Sequence, residues 1–167
     1  MEIYERIIEL LGECRYEVHR GDEKDYAHLK EGDFSITVIN EKGDDDMVIE
    51  YSGGEIILLF ANEHAHFDPS YDDELYWFID LAEDIMNDRK CAASLYYNTD
   101  DFPKLLSTSF CKRSETKEGP EKIFDLVYRL EDYREKLENN GGKAVFRFWD
   151  SSLNFETEIL KKEKNYS

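Results

Sequence analysis

Lysine and arginine are scarce in the first half of this 167-residue chain: residues 1–84 hold six of them against 24 Asp and Glu. Residues 85–167 carry 15 of each sign, so the whole net charge of −18 belongs to the N-terminal half. The scarcity excludes a basic stripe that could offset phosphate repulsion, and with it direct binding to a nucleic-acid backbone. Proline is almost as rare, with three residues and no Pro/Ser-rich stretch, so no linker divides the chain and a single domain over residues 1–167 is expected. Cys14, Cys91 and Cys111 are too few, too dispersed and odd in number for a disulfide framework. No apolar run approaches the roughly 18–20 residues that span a bilayer. The longest, Ile56–Ala61, suits a strand. Met1–Arg6 lacks the basic and apolar regions of a secretory signal, so a cytoplasmic protein with no membrane association is expected.

Aromatics are plentiful: 11 Tyr, 10 Phe and 2 Trp provide large buried area per residue, against the composition of a disordered acidic chain. Ile3, Ile7, Leu10, Leu11 and Cys14 recur at helical spacing and predict a helix over about Glu2–Cys14. Strands are predicted at Tyr16–His19, Asp33–Glu41, Met47–Tyr51 and Glu55–Ala61, joined by Gly/Asp/Ser turns as an antiparallel meander. Phe34, Ile36 and Val38 alternate with polar residues, so that strand is half-buried at most, whereas Ile56–Phe60 reads as a central strand covered on both faces.

A second helix follows, with Ser70 as its N-cap, Asp72, Asp73 and Glu74 in its first turn, and Leu75, Phe78, Ile79, Ala82, Ile85 and Met86 facing inward. Strands at Cys91–Tyr97 and Leu105–Phe110 come next. A third helix from Pro120 to about Asn139 should turn Ile123, Val127, Leu130 and Leu137 inward and stop at Asn140-Gly141-Gly142. A terminal hairpin, Ala144–Trp149 with Leu153–Leu160, closes the order α-ββββ-α-ββ-α-ββ. Runs of consecutive strands point to an α+β fold: a mainly antiparallel sheet with helices packed against it.

Few groupings carry chemistry. On an extended chain His64, His66 and Asp68 project to one side, and two imidazoles with a carboxylate suit a divalent metal that keeps a site open for water. Polar residues closing a strand before a helix are the alternative, and both readings stand. No motif calls for any other cofactor. No Gly-x-Ser-x-Gly elbow occurs, the cysteines sit inside predicted elements as small hydrophobes, and pairs such as Asp72/Asp73 or Asp100/Asp101 are expected among 39 carboxylates. No catalytic residue is assigned. In Phe146-Arg147-Phe148-Trp149-Asp150, Phe146 and Phe148 should face a sheet core, with Arg147 and Trp149 opposite, either as further core or as a partner patch.

The acidic residues cluster in loops: Asp22, Glu23 and Asp25, then Asp44, Asp45 and Asp46, then Asp72 and Asp73. If those loops share a sheet end they form one negative rim able to steer a basic protein, with Tyr16, Tyr26, Tyr51 or Tyr71 as anchors. Solubility alone is the plainer account.

Glu55-Ile56-Ile57-Leu58-Leu59-Phe60 leading into His64-Ala65-His66-Phe67, then Cys91-Ala92-Ala93-Ser94-Leu95-Tyr96 and Phe146-Arg147-Phe148-Trp149-Asp150, resembles small acidic bacterial proteins grouped with the immunity proteins of polymorphic toxin systems. The resemblance spans about residues 30–160. It implies a cytoplasmic protein that binds and blocks a toxin domain, and it carries over no binding residues, because these families share no one toxin-contacting motif. The leading expectation is therefore a protein-binding module, not an enzyme, for a basic partner such as a toxin domain. A metal-binding protein or hydrolase centred on His64 and His66, and an acidic nucleic-acid mimic, are the alternatives.

Overall fold

The computed structural model of the chain describes residues 3–162. Helix α1 (Ile3–Leu11) ends where Gly12 takes a left-handed backbone (φ 53°), so the expected helix stops short of Cys14. Five strands follow: β1 (Tyr16–His19), β2 (Phe34–Val38), β3 (Met47–Ser52), β4 (Glu55–Phe60) and β5 (Glu63–Phe67). They pair antiparallel in chain order, as a meander does. Strand β5 is an addition to the four expected. Its sequence, Glu-His-Ala-His-Phe, is mostly polar, yet Phe67 is buried while His64 and His66 are exposed on the other face.

Helix α2 (Asp72–Met86) then leads into a second antiparallel sheet of order β7-β6-β8-β9, built from β6 (Lys90–Tyr97), β7 (Lys104–Lys112), β8 (Gly142–Arg147) and β9 (Phe155–Ile159). The α+β class holds, spread over two sheets. Between β7 and β8 the chain forms α3 (Pro120–Ile123), α4 (Asp125–Arg129) and α5 (Glu131–Asn140), not one helix. At about 100° per residue, Phe124 and Leu137 would point about 140° apart on a straight helix. Both are buried in one core, and the breaks at Phe124 and Leu130 re-aim the chain so that this is possible. Leu130, expected inside, lies at the second break and is exposed.

Two cores result. Phe34, Ile36, Val38, Met47, Ile49, Ile56, Leu58 and Phe60 line one face of the meander and pack against Ile7 and Leu11 of α1 and Leu75, Phe78, Ala82 and Ile85 of α2. Each of the larger side chains, Val, Leu, Ile, Met or Phe, contributes about 1.5–3 kcal/mol by leaving water. The second core joins Cys91, Ala93 and Leu95 of β6 to Cys111, Ala144, Phe146 and Phe148, under Phe124, Val127 and Leu137 of the helices.

The expectation that β4 is covered on both faces is not met: Ile57 is half-buried and Leu59 is 39% exposed. Strand β6 has that place instead. Its residues from Cys91 to Leu95 are all buried, with Ala92 in the first core and its neighbours in the second. The small side chains of Cys-Ala-Ala-Ser let two packed layers approach one strand. Conversely, Ser35 is buried on the outer side of β2, more than half-burial allowed. Among the described residues no helix is long and apolar enough to cross a membrane.

Candidate functional site

Antiparallel strands in chain order send successive connections to opposite ends of a sheet. The 20–33 connection, carrying Asp22, Glu23 and Asp25, therefore sits at one end of the first sheet. The 39–46 connection, carrying Asp44, Asp45 and Asp46, sits at the other. Helix α2 starts from the end reached by β5, so Asp72 and Asp73 lie at the end of Asp22, Glu23 and Asp25. The single negative rim expected from the sequence does not form.

Several of these carboxylates build turns. Glu23 bonds the His19 ring at 2.9 Å and accepts from the Arg20 N–H at 3.1 Å, and these two bonds hold its carboxyl below the usual range. Asp46 accepts the Asn40 N–H at 2.8 Å. Asp22, Asp25, Asp44, Asp72 and Asp73 are exposed and, among the described residues, stand outside any ion pair.

The proposed metal ligands do not converge. His64 and His66 share the outer face of the first sheet, their ring centroids 5.1 Å apart, and His66 Nδ1 lies 3.1 Å from Glu55 Oε1. Asp68 falls past the end of β5. Its Oδ1 accepts the Ser70 hydroxyl at 2.6 Å and the Ser70 N–H at 2.9 Å, which lowers its pKa and ties that oxygen to the turn. Among the described residues no three His, Cys, Asp or Glu are placed to hold a metal ion. Ser70 is accordingly not the helix cap: Tyr71, with extended backbone, is the N-cap residue, and the Glu74 carboxylate accepts the Asp68 N–H at 2.5 Å.

Of the tyrosines proposed as anchors, Tyr16 and Tyr51 pack against the first core and Tyr26 stacks on His19, centroids 4.1 Å apart. Only Tyr71 is open, at 63% exposure. The terminal aromatics divide as expected: Phe146 and Phe148 enter the second core, and Trp149 enters the first beside Phe60. Trp149 is thus core and not a partner patch.

Two more exposed aromatics lie side by side on α2. Leu75, Phe78, Leu81, Ala82 and Ile85 turn inward, and the opposite arc consists of Asp72, Asp73, Tyr76, Trp77, Asp80 and Glu83, all exposed. Tyr76 is 64% and Trp77 60% exposed. Asp72, Asp73 and Glu74 have an ordinary reason to be there, since negative charge at a helix N-terminus is favourable. Two large rings in water have none. At the far end Arg89 pairs with Asp84 at 2.5 Å and Lys90 with the same carboxylate at 3.3 Å, so the uncompensated charge lies over the first turns. From Gly43 to Asp88 there is no lysine or arginine against fourteen Asp and Glu.

Sequence reasoning named Asp72 and Asp73 but passed over Tyr76, Trp77 and Asp80. The signal was present: on a helical wheel both rings fall opposite the Leu75–Phe78 stripe. An aromatic face attracts a cation, carboxylates beside it add charge, and the combination suits a basic protein surface. Comparison with family models, curated proteins and solved structures finds no match.

Proposed function

We propose that this chain is a non-catalytic protein-binding module that neutralises a basic partner in the bacterial cytoplasm, a toxin domain in the manner of immunity proteins. The observation that carries the reading is the outward arc of α2, which holds only acidic and aromatic residues within a stretch free of lysine and arginine. Such a surface attracts a cationic domain over distances near the Debye length, and rigid rings then supply contact area at low entropic cost. Binding stoichiometrically over a positively charged cleft blocks it without chemistry. The His64/His66 hydrolase alternative loses support because, among the described residues, no three potential ligands are grouped there.

The test is complex formation with the basic protein domain encoded beside this gene, measured by stopped-flow association at several ionic strengths. Tight association is expected, with an on-rate that falls steeply from low to physiological salt and falls further in Asp72→Asn/Asp73→Asn/Asp80→Asn. Absence of a complex with that domain, or an on-rate indifferent to salt and to the triple change, would overturn the reading.

A further inference from the structure

We infer that the partner presents an arginine, whose guanidinium lies on the Trp77 ring between Asp73 and Asp80; this rests on the protein-binding reading above and names what its surface selects. On α2, Asp73 is four residues before Trp77 and Asp80 three after it, spacings that place side chains side by side on one helix face. The same geometry sets Tyr76 between Asp72 and Asp80. A cation arriving on either ring therefore meets carboxylates at both ends.

The fold already packs three of its cations on aromatic rings. The Arg20 guanidinium sits 5.2 Å from the ring centroids of both Tyr4 and Phe34, Arg113 lies 5.8 Å from Phe148, and Lys136 lies over Tyr97 and Tyr133. Tyr76 and Trp77 are the counter-case. Both are well over half exposed, no cation or second ring covers them among the described residues, and the surrounding sequence contains no Lys or Arg to do so. A cation seated on these rings would come from a partner.

Arginine suits this surface better than lysine for three physical reasons. Its planar guanidinium stacks flat on an indole, it is less strongly hydrated than an ammonium, and its fork of donors can bond a carboxylate at each edge while stacked. Lysine offers only a compact point charge and would gain the field without the stacking. Selection of arginine over lysine at equal charge separates a built surface from a merely acidic one.

Octa-arginine and octa-lysine peptides, of equal charge, provide the probe. Each is titrated into the full chain at low ionic strength and followed by calorimetry. Octa-arginine should bind about tenfold more tightly, the equivalent of one stacking contact. Trp77→Ala should abolish that preference while leaving octa-lysine binding nearly unchanged, and Trp77→Phe should keep part of it. Asp44→Asn/Asp45→Asn, at the opposite end of the sheet, should leave the preference intact. Circular dichroism on each variant checks folding, and Tyr76→Ala provides a second reading if Trp77→Ala misfolds.

Equal binding of the two peptides, or a preference untouched by Trp77→Ala and Tyr76→Ala, overturns the arginine assignment while the basic-partner reading survives. Failure of both peptides to bind at low salt removes both.

Discussion

Asn40, just past β2, donates its side-chain amide to the backbone carbonyl of Trp149 at 2.7 Å, closing a contact between residues 109 apart in the chain. The same amide reaches the Asp45 carbonyl at 3.0 Å, its oxygen accepts the Lys42 N–H at 2.9 Å, and its own N–H is held by Asp46. Nearby, Ser151 N–H donates to the Lys42 carbonyl at 3.1 Å. The turn after β2 is thereby fastened to the segment after β8, and with it the first sheet to the second.

Asn40→Ala should therefore destabilise the protein by about 2–3 kcal/mol, because it strands buried carbonyls as well as removing bonds. Asn40→Asp should not rescue it, since a carboxylate would face the Trp149 and Asp45 carbonyl oxygens. Gly43→Ala should also destabilise: a Cβ there would sit 2.4 Å from the Trp149 oxygen and 2.6 Å from the Asn40 amide. Urea unfolding measures all three. A wild-type midpoint in Asn40→Ala would show that the fastening is energetically idle.

Thiol reactivity should divide the three cysteines. Cys91 faces Cys111 across β6 and β7 with sulfurs 3.5 Å apart, and their hydrogen bond, reinforced by burial, pushes the Cys91 thiol up. Cys14 is half-buried, its sulfur 3.9 Å from that of Met86. Under native conditions iodoacetamide should modify Cys14 first, with the pair reacting only as fast as the second core opens, and all three should react in denaturant. Mass spectrometry of timed aliquots reads the order. Equal native rates at the three sites would contradict the packing of β6 against β7.

Acid and alkali should act through different residues. Glu23 is held below its ordinary 4.5 by His19 and the Arg20 N–H, and Asp68 and Asp150 lie below 3.8 through their bonds to Ser70 and Ser152. A carboxyl whose folded pKa is lowered contributes stability that is full above its unfolded pKa and lost as pH falls through the folded value. Tyr128 runs the other way. Burial, aided by the charge of Glu121, raises its phenol from 10 to about 12, and its buried hydroxyl finds no hydrogen-bond partner among the described residues. The folded state holds that proton more tightly, so the contribution is full below 10 and lost as pH rises through about 12. Melting temperature against pH should fall at both ends. Glu23→Gln should flatten the acid limb and Tyr128→Phe the alkaline one; limbs unchanged in both variants would remove these groups from the account.

Much of this fold is legible residue by residue, because alternation and helical spacing are local. The meander, α2 and the split of Phe146 and Phe148 from Trp149 follow from which side chains share a face. What depended on packing was not legible. Nothing in Phe124 or Leu130 announces a helix break, since neither glycine nor proline is there; the break serves to bury Phe124 with Leu137. The two-faced strand was sought in the most apolar run, Ile56–Phe60, whereas burial on both faces fell to the small residues of Cys91–Ser94, which allow close approach. For the site, counting carboxylates by sequence could not reveal that antiparallel turns carry Asp44–Asp46 away from Asp72 and Asp73. The exposed rings were within reach, because assigning Leu75 and Phe78 inward already assigns Tyr76 and Trp77 outward.

That contrast between the two tryptophans gives the sharpest stability test. Trp149 is 7% exposed and packs on Phe60 with centroids 5.8 Å apart, so Trp149→Ala should cost about 3–5 kcal/mol through lost burial and the cavity left behind. Trp77 is 60% exposed on α2, so Trp77→Ala should change stability by no more than about 0.5 kcal/mol. Emission should report the same division: the Trp77→Ala protein keeps only the buried indole and should fluoresce further to the blue, while Trp149→Phe keeps only the exposed one and should shift to the red and quench readily with acrylamide. Urea unfolding followed by circular dichroism gives the energies independently of the fluorophore. If Trp77→Ala proves as destabilising as Trp149→Ala, the ring is a structural element of the first core, and the outward face of α2 loses its claim to be held open for a partner.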